Sequence, residues 1–127
     1  MGNFCSYRVE DGISIIHFTR SPGRLEFIEA INELAANYPY QYRLWDLQDV
    51  VLELDQDDLR AIVTFAGETL TDARRAAFVA SNNLSFGKLR MLEAYQQRQP
   101  DFQSQSRTFR EFRLAWQWLQ DERAAAD

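Results

Sequence analysis

Two strand-like runs, "NFCSYRVE" and "ISIIHFTR", flank the dipeptide Asp11-Gly12, and this arrangement constrains the fold more tightly than any other feature of the chain. Asp-Gly between apolar runs favours a two-residue type I′ turn, whose central residues both need a positive φ. The runs therefore read as antiparallel strands over about 4–10 and 13–19. A two-residue turn also sets the register: Glu10 opposes Ile13, Ser6 opposes His17 and Cys5 opposes Phe18. Side chains alternate between faces along a strand, so Cys5 and His17 point to opposite sides of the sheet.

Beyond "SPGR" the apolar period changes to that of a helix. Ile28, Ile31, Leu34, Ala35 and Tyr38 recur at helical spacing from Arg24 to Tyr38, and Pro39 ends the helix. "YRLWDL" (42–47) is a short strand rich in aromatics. The acidic connector "QDVVLELDQDD" leads into a second helix with the stripe Leu59, Ile62, Val63, Ala66 and Leu70. Asp55 suits its N-cap, with Asp58 three residues later. "RAAFVA" is the next strand, and Leu84 to about Arg98 the third helix, closed by Pro100. "QSRTF" reads as a polar edge strand, and Phe112, Ala115, Trp116 and Leu119 mark a last helix. The order β-β-α-β-α-β-α-β-α implies right-handed crossovers and a mostly parallel five-stranded sheet with an antiparallel first strand. The 127 residues suffice for a single three-layer α/β domain over 1–127, with no disulfide or metal needed.

Charge and composition remove several classes of function. The net charge of −5 disfavours nucleic acid as a partner. No apolar run approaches the ~20 residues that span a bilayer, and no basic-then-apolar leader is present. The expectation is a cytoplasmic protein without stable membrane insertion. "MGNFCS" fits the pattern for myristoylation of Gly2, with Cys5 as a palmitate acceptor, although the same residues serve as the first strand.

Catalytic constellations are sparse. The only histidine, His17, cannot form a dyad with Cys5 because they lie on opposite faces, and Ser6, opposite it, has no nucleophile elbow around it. One Cys and one His cannot supply an ordinary zinc site. Residues 46–58 hold six carboxylates, Asp46, Asp49, Glu53, Asp55, Asp57 and Asp58, but without the glycine and glutamate spacing of a calcium loop. Capping and the helix dipole account for them, so neither metal nor cofactor is expected. Gly87, near the start of the third helix, is read as allowing that helix to lie close to the sheet.

The best candidate site is the junction Ser81-Asn82-Asn83 with Ser85. Backbone N–H groups at a helix start attract anions, and Asn and Ser side chains add donors. In a parallel sheet this junction shares the carboxyl edge with the end of "YRLWDL", which brings Trp45 and Asp46 nearby. A cap that serves only its own helix is the competing reading. On the last helix Leu114 lies nearly opposite the apolar stripe and Trp118 on its flank, which points to an interface with a partner or with a second copy as a homodimer.

"LWDLQD", "RRAAFVASNNLSFGKLRMLEAY" and "FREFRLAWQWL" together resemble the SpoIIAA-like family, small proteins related to the STAS domains of anti-sigma-factor antagonists. The resemblance covers most of the chain in element order and implies a SpoIIAA-like α/β fold, with regulatory, small-molecule or lipid-binding roles. STAS antagonists carry a phosphorylatable serine at the start of the helix after the central strand. The corresponding "LELDQDDLRA" offers Gln56, Asp57 and Asp58 instead, which argues against a kinase-driven switch. The function expected is a non-enzymatic binding or regulatory module, acting through a protein partner and a small ligand. The alternative is a carrier of a small anionic or lipid molecule with its pocket at the sheet's carboxyl edge. A third reading is an enzyme with Asp46 as base.

Overall fold

Asp11 and Gly12 both adopt positive φ, 50° and 77°, and the hairpin they make begins the sheet. A side chain at position 12 would also collide with the Arg123 guanidinium, 2.8 Å from where its Cβ would stand. The turn joins β1 (Cys5–Glu10) to β2 (Ile13–Phe18) in the register the turn dictates, with Glu10 opposite Ile13, Ser6 opposite His17 and Cys5 opposite Phe18. The structure, a computed structural model, describes residues 4–99 and 104–126. The myristoylation motif at Gly2 and the stop at Pro100 lie outside the described residues.

From β2 the chain runs α1 (Arg24–Asn37), β3 (Tyr42–Asp46), α2 (Gln56–Thr69), β4 (Arg75–Val79), α3 (Asn83–Gln97), β5 (Gln105–Phe109) and α4 (Phe112–Ala126). The sheet order is β1-β2-β3-β4-β5, with only the β1–β2 pair antiparallel. Each crossover advances by one strand in the same direction, so right-handed connections put α1, α2 and α3 on one face. α4 follows β5 and covers the other face, against β3, β4 and β5.

Two cores result. Ile16, Phe18, Trp45 and Phe78 face the three crossover helices, while Ile13, Ile15, Leu44, Ala77 and Val79 meet Ala115 and Leu119 of α4. All five residues of β3 are buried, as expected for a central strand covered on both faces. α1 turns a different stripe inward than its spacing first suggests. Phe27, Ala30, Ile31 and Leu34 are buried, whereas Ile28 is only half-buried and Ala35 is exposed. The rotation brings Phe27 to 5.0 Å from the Trp45 ring, nearly parallel to it.

Asp55 caps α2 and accepts from the Asp58 N–H at 2.8 Å, while the Asp58 carboxylate accepts from the Asp55 N–H at 3.0 Å. This reciprocal capping box satisfies two of the helix's unpaired donors. Gly87 does not mediate a close approach of helix to sheet: a Cβ there would meet nothing within 4 Å.

Candidate functional site

Asn82 is the N-cap of α3, its Oδ1 accepting from the Ser85 N–H at 2.8 Å, and Asn83 is the first helical residue. The other polar groups of the junction reach the connector from β3. Asn82 Nδ2 donates to the Val50 carbonyl at 3.0 Å and Ser81 Oγ to the Gln48 carbonyl at 3.0 Å. Ser85, wholly buried, accepts from the Leu52 N–H at 2.9 Å. Lys88 Nζ donates to the Leu54 carbonyl. The connector has no regular structure of its own, so these bonds serve peptide groups that burial would otherwise leave unpaired. Ser81, Asn82 and Ser85 are thus brought together as cap and clasp.

Asp46 lies on the same edge but is turned toward β2. His17 and Asp46 are directly paired residues of the parallel strands, and His17 Nδ1 stands 2.9 Å from Asp46 Oδ2. Asp46 Oδ1 accepts from the backbone and side-chain nitrogens of Gln48 at 3.1 and 2.9 Å. The other imidazole nitrogen, Nε2, lies 3.2 Å from Asp49 Oδ2. Both nitrogens of His17 therefore have carboxylate partners. The contact atoms face one another, and among the described residues no group of three or more His, Cys, Asp or Glu converges on a metal position.

Two further titratable groups show where polarity is and is not exploited. The Asp55 N–H and the Arg24 guanidinium, 2.8 Å away, hold the Asp58 carboxyl below the usual aspartate value. Burial pushes the Cys5 thiol up, despite a hydrogen bond with the Tyr7 hydroxyl at 3.3 Å. A raised thiol is the opposite of an activated nucleophile.

Trp45 is not at the carboxyl edge. Strand alternation sends it, with Arg43, into the face covered by α1, α2 and α3, where it is 3% exposed. Its ring stacks between Phe27 and Phe78, at 5.0 and 6.2 Å, with Phe18 at 6.3 Å. Toward the starts of β3 and β4 the packing leaves a cavity of about 30 Å³, with walls including Ile31, Ile62, Ala66, Leu92, Trp45 and Phe78. Leu70, Ala73 and Ser104, all half-buried, form part of its rim. This cavity is at the opposite end of the strands from the edge that sequence reasoning favoured.

Arg43, Gln96 and, at the rim, Ser104 bring polarity to that cavity, and Arg75, also in its lining, is paired with Glu122 at 2.6 Å. The Arg43 side chain is 2% exposed, and its one carboxylate contact among the described residues is Asp72, 3.8 Å from Nη2. None of its three nitrogens has a hydrogen-bond acceptor among the described residues. Gln96 has its Oε1 engaged by the Ser106 hydroxyl. Sequence reasoning passed over Arg43. The available signal was a lone cation in "YRLWDL", a strand whose other positions, Asp46 apart, are apolar or aromatic.

On α4, Leu114 is 40% exposed and Trp118 is half-buried against the Phe109 ring at 5.7 Å. No helix among the described residues is long and apolar enough to cross a membrane.

No protein-family model and no curated protein sequence matches the chain. Among solved structures it is similar to an uncharacterized protein of the DUF3478 family from Shewanella loihica PV-4, which has a SpoIIAA-like fold. The two chains superpose with a TM-score of 0.58 over 91% of each, at 11% identity. The likeness establishes the SpoIIAA-like fold, as the resemblance in "AFVASNNLSFGKLRM" and the last helix implies, and it concerns the fold alone.

Proposed function

We propose that this domain is a non-enzymatic binding module that holds a small ligand in the cavity between its sheet and the three crossover helices. The cavity carries the reading by its composition, apolar and aromatic walls with few polar groups being usual for a small-molecule site, while its volume of about 30 Å³ limits the enclosed part of an occupant to a few heavy atoms. Two arrangements support binding over catalysis. His17 has both ring nitrogens against carboxylates, and so has none placed to accept a proton from a nucleophile. Burial pushes the Cys5 thiol up, away from the thiolate that nucleophilic chemistry needs. Native mass spectrometry of freshly purified protein tests the proposal, with a population carrying one small molecule as the expected result. Protein that is ligand-free, and whose Trp45 emission responds to no member of a small-molecule library, contradicts it.

A second reading, a protein partner at the carboxyl edge, is favoured by one observation. Leu25, Val51 and Leu84 are exposed at 63%, 43% and 53% on segments that meet there. Val51 lies between them in the chain's hydrogen bonding, its N–H reaching Ser21 Oγ at 3.3 Å while neighbouring Leu52 reaches Ser85. The Leu114 and Trp118 surface is a further candidate, for a homodimer. Capture of one partner by wild type but not by Leu84→Asp would support the edge reading, and equal capture by both would remove it.

A further inference from the structure

We propose that Arg43 makes the interior cavity a receptor for a small monocarboxylate, whose head group pairs with the guanidinium while a short hydrocarbon part lies against Ile31, Ile62, Ala66 and Leu92. The inference rests on the ligand-binding reading above and adds the ligand's charge and class.

The observation behind it is a charge in the wrong surroundings. An arginine keeps its proton under all ordinary conditions, so burial cannot be relieved by neutralisation. Burying a charge without acceptors costs free energy that native folds rarely leave uncompensated. The Arg43 side chain is 2% exposed, and Asp72, half exposed and 3.8 Å away, is beyond hydrogen-bonding distance. Burial pushes the guanidinium below its ordinary pKa, and the Asp72 charge restores part of that.

Three features narrow the occupant. The guanidinium presents a planar fork that matches a carboxylate with two parallel hydrogen bonds. It supplies one positive charge, and Arg75, also in the lining, is already paired with Glu122 at 2.6 Å, so a monoanion is neutralised, whereas a phosphate dianion would leave negative charge buried. The cavity of about 30 Å³ has room for about two water-sized groups, which the carboxylate fills, so a tail beyond one or two carbons must part the walls or run out past the half-buried rim of Leu70 and Ala73. Around it the walls are hydrocarbon and aromatic, which favours an aliphatic chain over a sugar or nucleotide.

Calorimetric titration of the full chain with sodium hexanoate, hexan-1-ol and inorganic phosphate tests this, using wild type and Arg43→Met. Expected for wild type is saturable hexanoate binding at least tenfold tighter than that of the alcohol, with affinity rising up to about fourfold per methylene from acetate until the space is filled. Arg43→Met should fold with undiminished thermal stability, since an apolar side chain replaces a buried charge whose nitrogens have no hydrogen-bond acceptor among the described residues, and should lose hexanoate affinity by tenfold or more. Hexanol binding as tightly as hexanoate overturns the carboxylate inference and leaves the cavity reading standing. Binding of neither overturns both. Phosphate binding more tightly than hexanoate, or Arg43→Met retaining hexanoate affinity, also overturns the inference. Should Arg43→Met not fold, the wild-type comparison of acid and alcohol decides alone.

Discussion

Arg43 and Asp72 face each other across 3.8 Å, the arginine side chain 2% exposed and the aspartate 51%. The pair is too long for a hydrogen bond, and water screens its acidic half. Asp72→Asn should therefore change stability by less than about 1 kcal/mol. It should also tighten hexanoate binding, because a competing carboxylate has gone. Thermal unfolding and calorimetry measure the two effects, and a loss above about 2 kcal/mol would mark the pair as structural.

Asn82 and Asn83 are adjacent but differ in role, since only Asn82 caps α3 and holds Val50. Asn82→Ala should lower stability by about 1–2 kcal/mol, while Asn83→Ala, on an exposed first-turn position, should stay within about 0.5 kcal/mol. Urea unfolding of the two variants distinguishes them. Equal losses would show that the junction acts as a unit and not through one cap.

What sequence could and could not reveal follows from where each signal resides. The hairpin register was legible because the Asp11-Gly12 turn and strand alternation are local, and so was the Asp55–Asp58 capping box. The facing stripe of α1 was not: frames through Ile28 and Ala35 or through Phe27 and Ala30 share Ile31 and Leu34, and stacking of Phe27 on Trp45 selects the second. Ser81, Asn82 and Ser85 lie beside the end of β3 because parallel strands share a carboxyl edge, but their hydrogen-bond partners come from a connector with no periodic pattern. The pairing of His17 with Asp46 depends on the offset between parallel strands, which a crossover helix sets at long range. Parity puts Arg43 on the face of Trp45, yet only the three helices together make that face a cavity.

Gly87 is exposed, and a Cβ there meets nothing within 4 Å. Gly87→Ala should stabilise the protein by about 1 kcal/mol through helix propensity and a less flexible unfolded chain. The expected signature is a higher urea midpoint with an unchanged slope. A lower midpoint would mean that the glycine serves a contact absent from this structure.

Asp58 gives stability a defined acid dependence. Its folded-state pKa lies below the ordinary 3.8, through the Asp55 N–H and then Arg24. The sign is that of a carboxylate favoured in its charged form: the contribution is complete above 3.8 and disappears as pH falls through the lowered folded value. Asp58→Asn should therefore lose less stability than wild type as pH drops below about 4. Parallel acid titrations followed by circular dichroism measure this, and identical slopes would exclude the capping box as a source.

The most direct measurement is the position of ligand contact. In ¹H–¹⁵N spectra of the wild-type protein titrated with sodium hexanoate, the Arg43 Nε–H resonance should move downfield and saturate, together with the Gln96 side-chain amide. Saturable shifts confined to residues 81–85, with Arg43 unmoved, would contradict the account and return the site to the carboxyl edge.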